Sequence, residues 1–208
     1  MWDSAVTRFA PARQRGGSMT FRAFVGRIGL VALLAWLSVE IHELGHFAVY
    51  VLAGHPARMS FQRVSPAEPV STSLVNLALL GGPAVSLAAA IALLLVARRR
   101  RSFAWVTASF TNASIRVFPC ALDLLRALTG GRPFSDEGEL ALAFTGSQIS
   151  RVAVMVLVLA MWLALTTVVA REYDFRTKRL LKAVAIYGLS LLVGITTVIA
   201  DDLLGFNG

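Results

Sequence analysis

The chain has 208 residues, of which 56% are hydrophobic and 15% charged, and its mean hydropathy is +0.68. A water-soluble domain carries nearer a quarter charged residues and has no interior able to take up this much apolar surface, which excludes a soluble globular protein. The net charge of +8 sits almost wholly on arginines clustered between apolar runs, a pattern of anchoring on anionic lipid rather than of nucleic-acid binding. Hydropathy divides the chain into a basic N-terminal segment, 1–24, and a single transmembrane domain, 25–208. The expected fold is an all-α polytopic membrane protein with about five transmembrane helices, over about 25–53, 72–97, 103–129, 149–170 and 180–200. A short β-hairpin is expected after the first of them.

Residues 1–24 hold Arg8, Arg13, Arg15 and Arg22, a basic start that resembles a signal peptide. The apolar run that follows is far longer than a secretory core segment, so it is expected to remain as a spanning helix. Late in this run comes Ile41-His42-Glu43-Leu44-Gly45-His46. His42 and His46 are four apart, so on a helix they project from one face a turn apart and can grip a single ion. Neutral imidazole is a good Zn²⁺ ligand, and two of them leave room for a third protein group and a water. Glu43 lies beside the pair, where a carboxylate can take a proton from that water instead of binding the metal. Chance placement in a core helix is a weak alternative, because ionisable groups are costly in a bilayer and are functional suspects there. Glu40, three residues earlier, reads equally as a group orienting a ligand or as a polar residue near the headgroups.

The connection 54–71 is rich in proline (Pro56, Pro66, Pro69), and residues 57–63 alternate apolar and polar as a half-buried strand does. The second run contains Gly81-Gly82-Pro83, a surface for close packing against the first helix, and stops at Arg98–Arg101. The third run is the least uniformly apolar, with Asn112, Arg116, Pro119, Asp123 and Arg126. Arg116 and Asp123 are seven apart, and Asp123 and Arg126 three apart, so internal ion pairing is one reading and a wet functional interior the other. Cys120, the single cysteine, lies in this run and reads as packing. A glycine-rich loop, 130–134, leads to Ser135-Asp136-Glu137-Gly138-Glu139, whose composition is also that of a helix N-cap. The last two runs flank a basic segment, 171–182. The alternation of basic and non-basic loops puts the N-terminus in the cytoplasm, Asp201-Asp202 outside, and His42 and His46 toward the outer leaflet.

His-Glu-Leu-Gly-His in a spanning helix resembles the site-2 protease family of intramembrane zinc metalloproteases, over roughly residues 25–140. Gly82-Pro83 in the next helix, and the asparagine, proline and later aspartate in or after the third run, belong to the same resemblance. It implies a third zinc ligand from an Asn-x-x-Pro…Asp-Gly pattern. Here Asn112 and Pro119 are seven apart and no aspartate directly precedes a glycine. Two residues compete for the role. Asp123 lies four after Pro119, but Arg116 and Arg126 offer it a structural task; Asp136 lies by a flexible loop, close to Gly138. Asp136 is the expected ligand, because a loop carboxylate swings onto a metal more easily than one fixed by salt bridges. The resemblance further implies cleavage of membrane-embedded or membrane-anchored protein substrates in a bacterial cell membrane, a β-structure over 57–63 that accepts a substrate strand, and Asn112 holding extended backbone. A membrane metal-binding or transport protein is the alternative from another class. It needs ligands along a path, whereas the chain has three histidines, His42, His46 and His55. An inactive relative acting in assembly is a third reading, which the intact motif disfavours.

Overall fold

The first apolar run forms one helix, α1 (Phe21–Leu52), because it contains no proline and no polar cluster to break it. It ends where Gly54, at φ 81°, turns the chain and the amides of Gly54 and His55 bond back to the carbonyls of Val51 and Tyr50. In this computed structural model, residues 20–60, 63–100, 102–172, 185–196 and 199 are described. Most of the basic N-terminal segment, Arg101, most of the basic segment 171–182, and Asp201-Asp202 lie outside the described residues.

The strand expected over 57–63 is shorter than the alternating pattern suggested. Strand β1 (Ala57–Met59) is followed by a reversal in which the Ser60 amide donates to the Arg63 carbonyl. Strand β2 (Val64–Pro66) then pairs back antiparallel, Ala57 opposite Pro66 and Met59 opposite Val64. The result is a two-stranded hairpin beside the C-terminal end of α1.

Helix α2 (Thr72–Arg100) runs unbroken through Pro83 and lies along α1. The seam is built from small residues at helical spacing: Ala78, Gly82, Ser86 and Ala90 are buried along α2, and the first three of them meet His46 and His42 of α1. Gly45 and Gly81 bring the two backbones into direct contact, with no room for a Cβ on either. Close packing of this kind replaces the hydrophobic drive that helices lack in lipid. The outer faces carry Leu33, Leu44, Leu80 and Leu95, all exposed, as lipid-facing side chains are.

The third expected span, 103–129, is not one helix. It is α3 (Phe103–Ser114) and α4 (Val117–Leu128), each of 12 residues, separated by a turn at Ile115-Arg116. Twelve residues reach about 18 Å, short of the ~30 Å hydrocarbon core. Pro119 favours the break, since a continuous helix would lose the hydrogen bond to the Ile115 carbonyl there, although α2 carries Pro83 at the same cost. In the first turn of α4 the missing amide costs nothing. Helix α5 (Asp136–Thr145) follows a loop, and α6 (Gln148–Glu172) packs on α3, α4 and α5. Trp162, Met155 and Cys120 form a core there with Ala141, so the cysteine is packing as read. Within the last expected span, 180–200, Ala185–Thr196 form helix α7. The protein is mostly helical, and three of the described helices, α1, α2 and α6, are long and apolar enough to cross a membrane; the expected fifth span lies partly outside the described residues.

Candidate metal centre

His42 and His46, one turn apart on α1, point into the seam with α2 and both are buried. Each ring is held from behind by a different atom of α2. Nδ1 of His46 lies 2.7 Å from the Ala78 carbonyl oxygen, which can only accept, so Nδ1 carries the proton. Nδ1 of His42 lies 3.0 Å from the Ser86 hydroxyl. The two Nε2 atoms are thereby aimed at one point, 3.1 Å apart. Gly82 sits directly beneath both imidazoles; a Cβ there would overlap the Nε2 and Cε1 of His46 and the Cε1 of His42. The glycine of the Gly82-Pro83 pair is thus required by the histidines as well as by helix packing.

The third group arrives from a distant part of the chain. Asp136 Oδ2 lies 2.8 Å from His42 Nε2 and 3.4 Å from His46 Nε2. Tetrahedral zinc with bonds of 2.0–2.1 Å separates its ligand atoms by about 3.3 Å, and these spacings bracket that value. A neutral His46 with its proton on Nδ1 presents the Nε2 lone pair to the Asp136 carboxylate, an arrangement that a cation relieves. His42, His46 and Asp136 form a group able to hold a metal ion. Glu43, next to His42, is buried and lines the same cavity of about 260 Å³ as His42 and Asp136. The remaining wall is largely apolar, from Phe118, Pro119, Phe134, Leu191 and Ile195.

Asp136 is the first residue of α5, and its neighbour Ser135 is the N-cap, accepting from the Gly138 amide at 3.3 Å. The capping reading and the ligand reading of this cluster therefore both describe the same residues. Arg116, at the break between α3 and α4, completes the surroundings. Its Nη2 donates to Asp136 Oδ2 at 3.1 Å, and Nε and Nη2 together grip the Glu137 carboxylate. Burial pushes the Asp136 carboxyl up, but the two imidazoles and the Arg116 charge outweigh it and hold it well below the usual carboxylate range. It is ionised, as a metal ligand must be. Burial also pushes Glu137 up, and Arg116 overcomes it.

No protein-family model, no curated protein and no solved structure matches this chain.

The other residues singled out in the sequence fall elsewhere. Asp123 is wholly buried and outside the three-ligand group. The ion pairs of Asp123 with Arg116 and Arg126, suggested by their spacing, do not form: Asp123 pairs with Arg151, and Arg126 lies over the Phe134 ring at 5.0 Å. The cause is the helix break, which turns Arg116 toward the start of α5. Asn112 is buried in α3, donates to the Ala108 carbonyl and does not line the cavity, so it is not placed to hold a substrate backbone. Glu40 is half-buried and outside the group. His55 pairs with Glu68 at 3.2 Å on the exposed connection. Sequence reading missed Arg116 and Glu137 as neighbours of the site. The one signal for them was an arginine inside an apolar run and an acidic pair ahead of another, with no spacing to join them.

Proposed function

We propose that the protein is an intramembrane zinc metalloendopeptidase that hydrolyses peptide bonds of membrane-embedded or membrane-anchored protein substrates. The observation that carries this reading is the convergence of His42 Nε2, His46 Nε2 and Asp136 Oδ2 within 4.8 Å, with Glu43 on the same cavity wall. The resemblance of His42-Glu43-Leu44-Gly45-His46 to the site-2 protease motif supports it, as does the choice of imidazole and carboxylate donors, which suits zinc. Bound there, zinc would polarise a peptide carbonyl and make a water acidic enough to lose a proton near neutral pH. Glu43 takes that proton and passes it to the leaving nitrogen as the C–N bond breaks and the water oxygen joins the carbonyl carbon. Arg116 keeps Asp136 ionised and aimed at the histidines. The apolar wall of the cavity suits an unwound stretch of a spanning segment, since a helical carbonyl is tied up in its own hydrogen bond.

The metal-carrier alternative is disfavoured because the described residues hold one such group and no series of ligands through successive helices. The test is zinc content together with cleavage of co-expressed single-span membrane proteins, for wild type and Glu43→Gln. The expected result is one zinc in both and cleavage in wild type alone. Equal cleavage by the two proteins removes Glu43 from the mechanism and sinks the reading.

A further inference from the structure

Asp123 has a buried carboxylate that the proposed chemistry does not use, and apart from Arg151 the groups that bond to it belong to the segment that delivers Asp136. Oδ1 accepts from the Phe134 amide at 2.7 Å, and Oδ2 from the Ser135 amide at 2.7 Å and from the Ser135 hydroxyl. The same hydroxyl accepts from the Gly138 amide, so Asp123 is linked through Ser135 to the first turn of α5. Gly138 rests against the Asp123 carboxylate so closely that a Cβ would overlap it. Arg151 on α6 closes the arrangement: Nη1 donates to the Gly131 carbonyl at 2.6 Å and Nη2 to Asp123 Oδ1 at 3.4 Å. Asp123 and Arg151 are 0% and 1% exposed. A buried charge pair is costly unless its remaining hydrogen-bonding capacity is filled, and here the loop fills that of the Asp123 carboxylate.

We propose that Asp123, with Arg151 and Ser135, is a clamp that positions Asp136, so that metal affinity is set by a carboxylate that does not touch the metal. Both ends of the loop 129–135 are fixed by it. The α4 end is turned by Gly130, at φ 76°, and the α5 end is pinned through two amides and a hydroxyl. Asp136 is one residue beyond the pinned amide of Ser135, so its backbone cannot retreat from the histidines. Outer partners that orient a ligand typically govern metal affinity by 10–100-fold. In Asp123→Asn the side-chain amide would present a donor to donors, loosening the loop without removing any ligand.

This inference rests on the metal reading but not on proteolysis, and its test needs no substrate. Zinc affinity of the full chain in detergent micelles is measured by competition with a chromogenic chelator, and Co²⁺-substituted protein is compared by its visible absorption. Asp123→Asn is expected to bind one zinc with affinity lowered about 10- to 100-fold and to give an altered Co²⁺ spectrum. Ser135→Ala, which removes one hydroxyl, shifts both in the same direction and less, and keeps the clamp open to test should Asp123→Asn not fold. Wild-type affinity and spectrum in both variants overturn the clamp while leaving the metal site intact. Loss of the metal from Asp123→Asn with full retention in Asp136→Asn also overturns it, by making Asp123 the ligand. Wild-type protein that takes up no metal sinks the metal reading itself.

Discussion

The two halves of the candidate centre are built in opposite ways. The histidine half lies within a single helical turn, His42 to His46, and its geometry follows from local backbone regularity plus a small-residue seam. The aspartate half is 90 residues away in the chain and has no local regularity to rely on. It depends on a helix break at Arg116, a glycine-turned loop, a buried carboxylate at Asp123 and an arginine from α6. The first half should therefore be robust to changes in the surroundings, and the second should fail whenever its supports do.

The largest expected effect removes function without disturbing either half. Glu43→Gln should abolish cleavage in a co-expression assay while the purified protein still carries one zinc per chain. Next comes loss of the ion itself: His42→Ala or His46→Ala should bring zinc from one per chain to none, and Asp136→Asn should weaken it, all with helical content unchanged by circular dichroism. An Asp136→Asn protein with wild-type affinity would show that the second half contributes no ligand. Arg116→Ala addresses the supports. Removing one partner of a buried ion pair costs about 3–5 kcal/mol. Denaturation in mixed micelles should register a loss of that order, with weaker zinc binding, and an unchanged midpoint would separate Arg116 from the fold. Gly45→Ala tests the seam, where an added methyl must push the backbones of α1 and α2 away from each other. A loss of about 1–3 kcal/mol is expected, as for other overpacked contacts. The smallest change is Ser38→Ala, which removes the 3.1 Å bond to Thr111 between α1 and α3; about 1 kcal/mol should be lost with zinc content unaltered.

Legibility in the sequence followed the range of the interactions. That α1, α2 and α6 are long and apolar enough to cross a membrane is written in runs of apolar residues and needs no partner to be seen. The spacing of His42, Glu43 and His46 is equally local. The third run misled because its mean composition is apolar enough for a span, while the helix turns at Ile115-Arg116, where Pro119 leaves the Ile115 carbonyl without its helical donor and Arg116 pairs with the start of α5. The spacing of Arg116, Asp123 and Arg126 suggested pairs along one face. In the structure Arg116 finds two carboxylates and Asp123 two amides in segments that the sequence places beyond a loop.

By itself the sequence determined a helical chain with bilayer-length apolar runs, a hairpin-forming connection and two imidazoles one helical turn apart, because each depends on residues near one another and on the period of the backbone. It also offered two aspartates of equal chemistry. Its loop setting already favoured Asp136, and the tertiary structure brings Asp136 to the histidines and turns Asp123 inward to the loop. The choice rests on where α4, α5 and α6 pack, and the free energy of a buried carboxylate is set by the donors that reach it in space rather than by its neighbours in the chain.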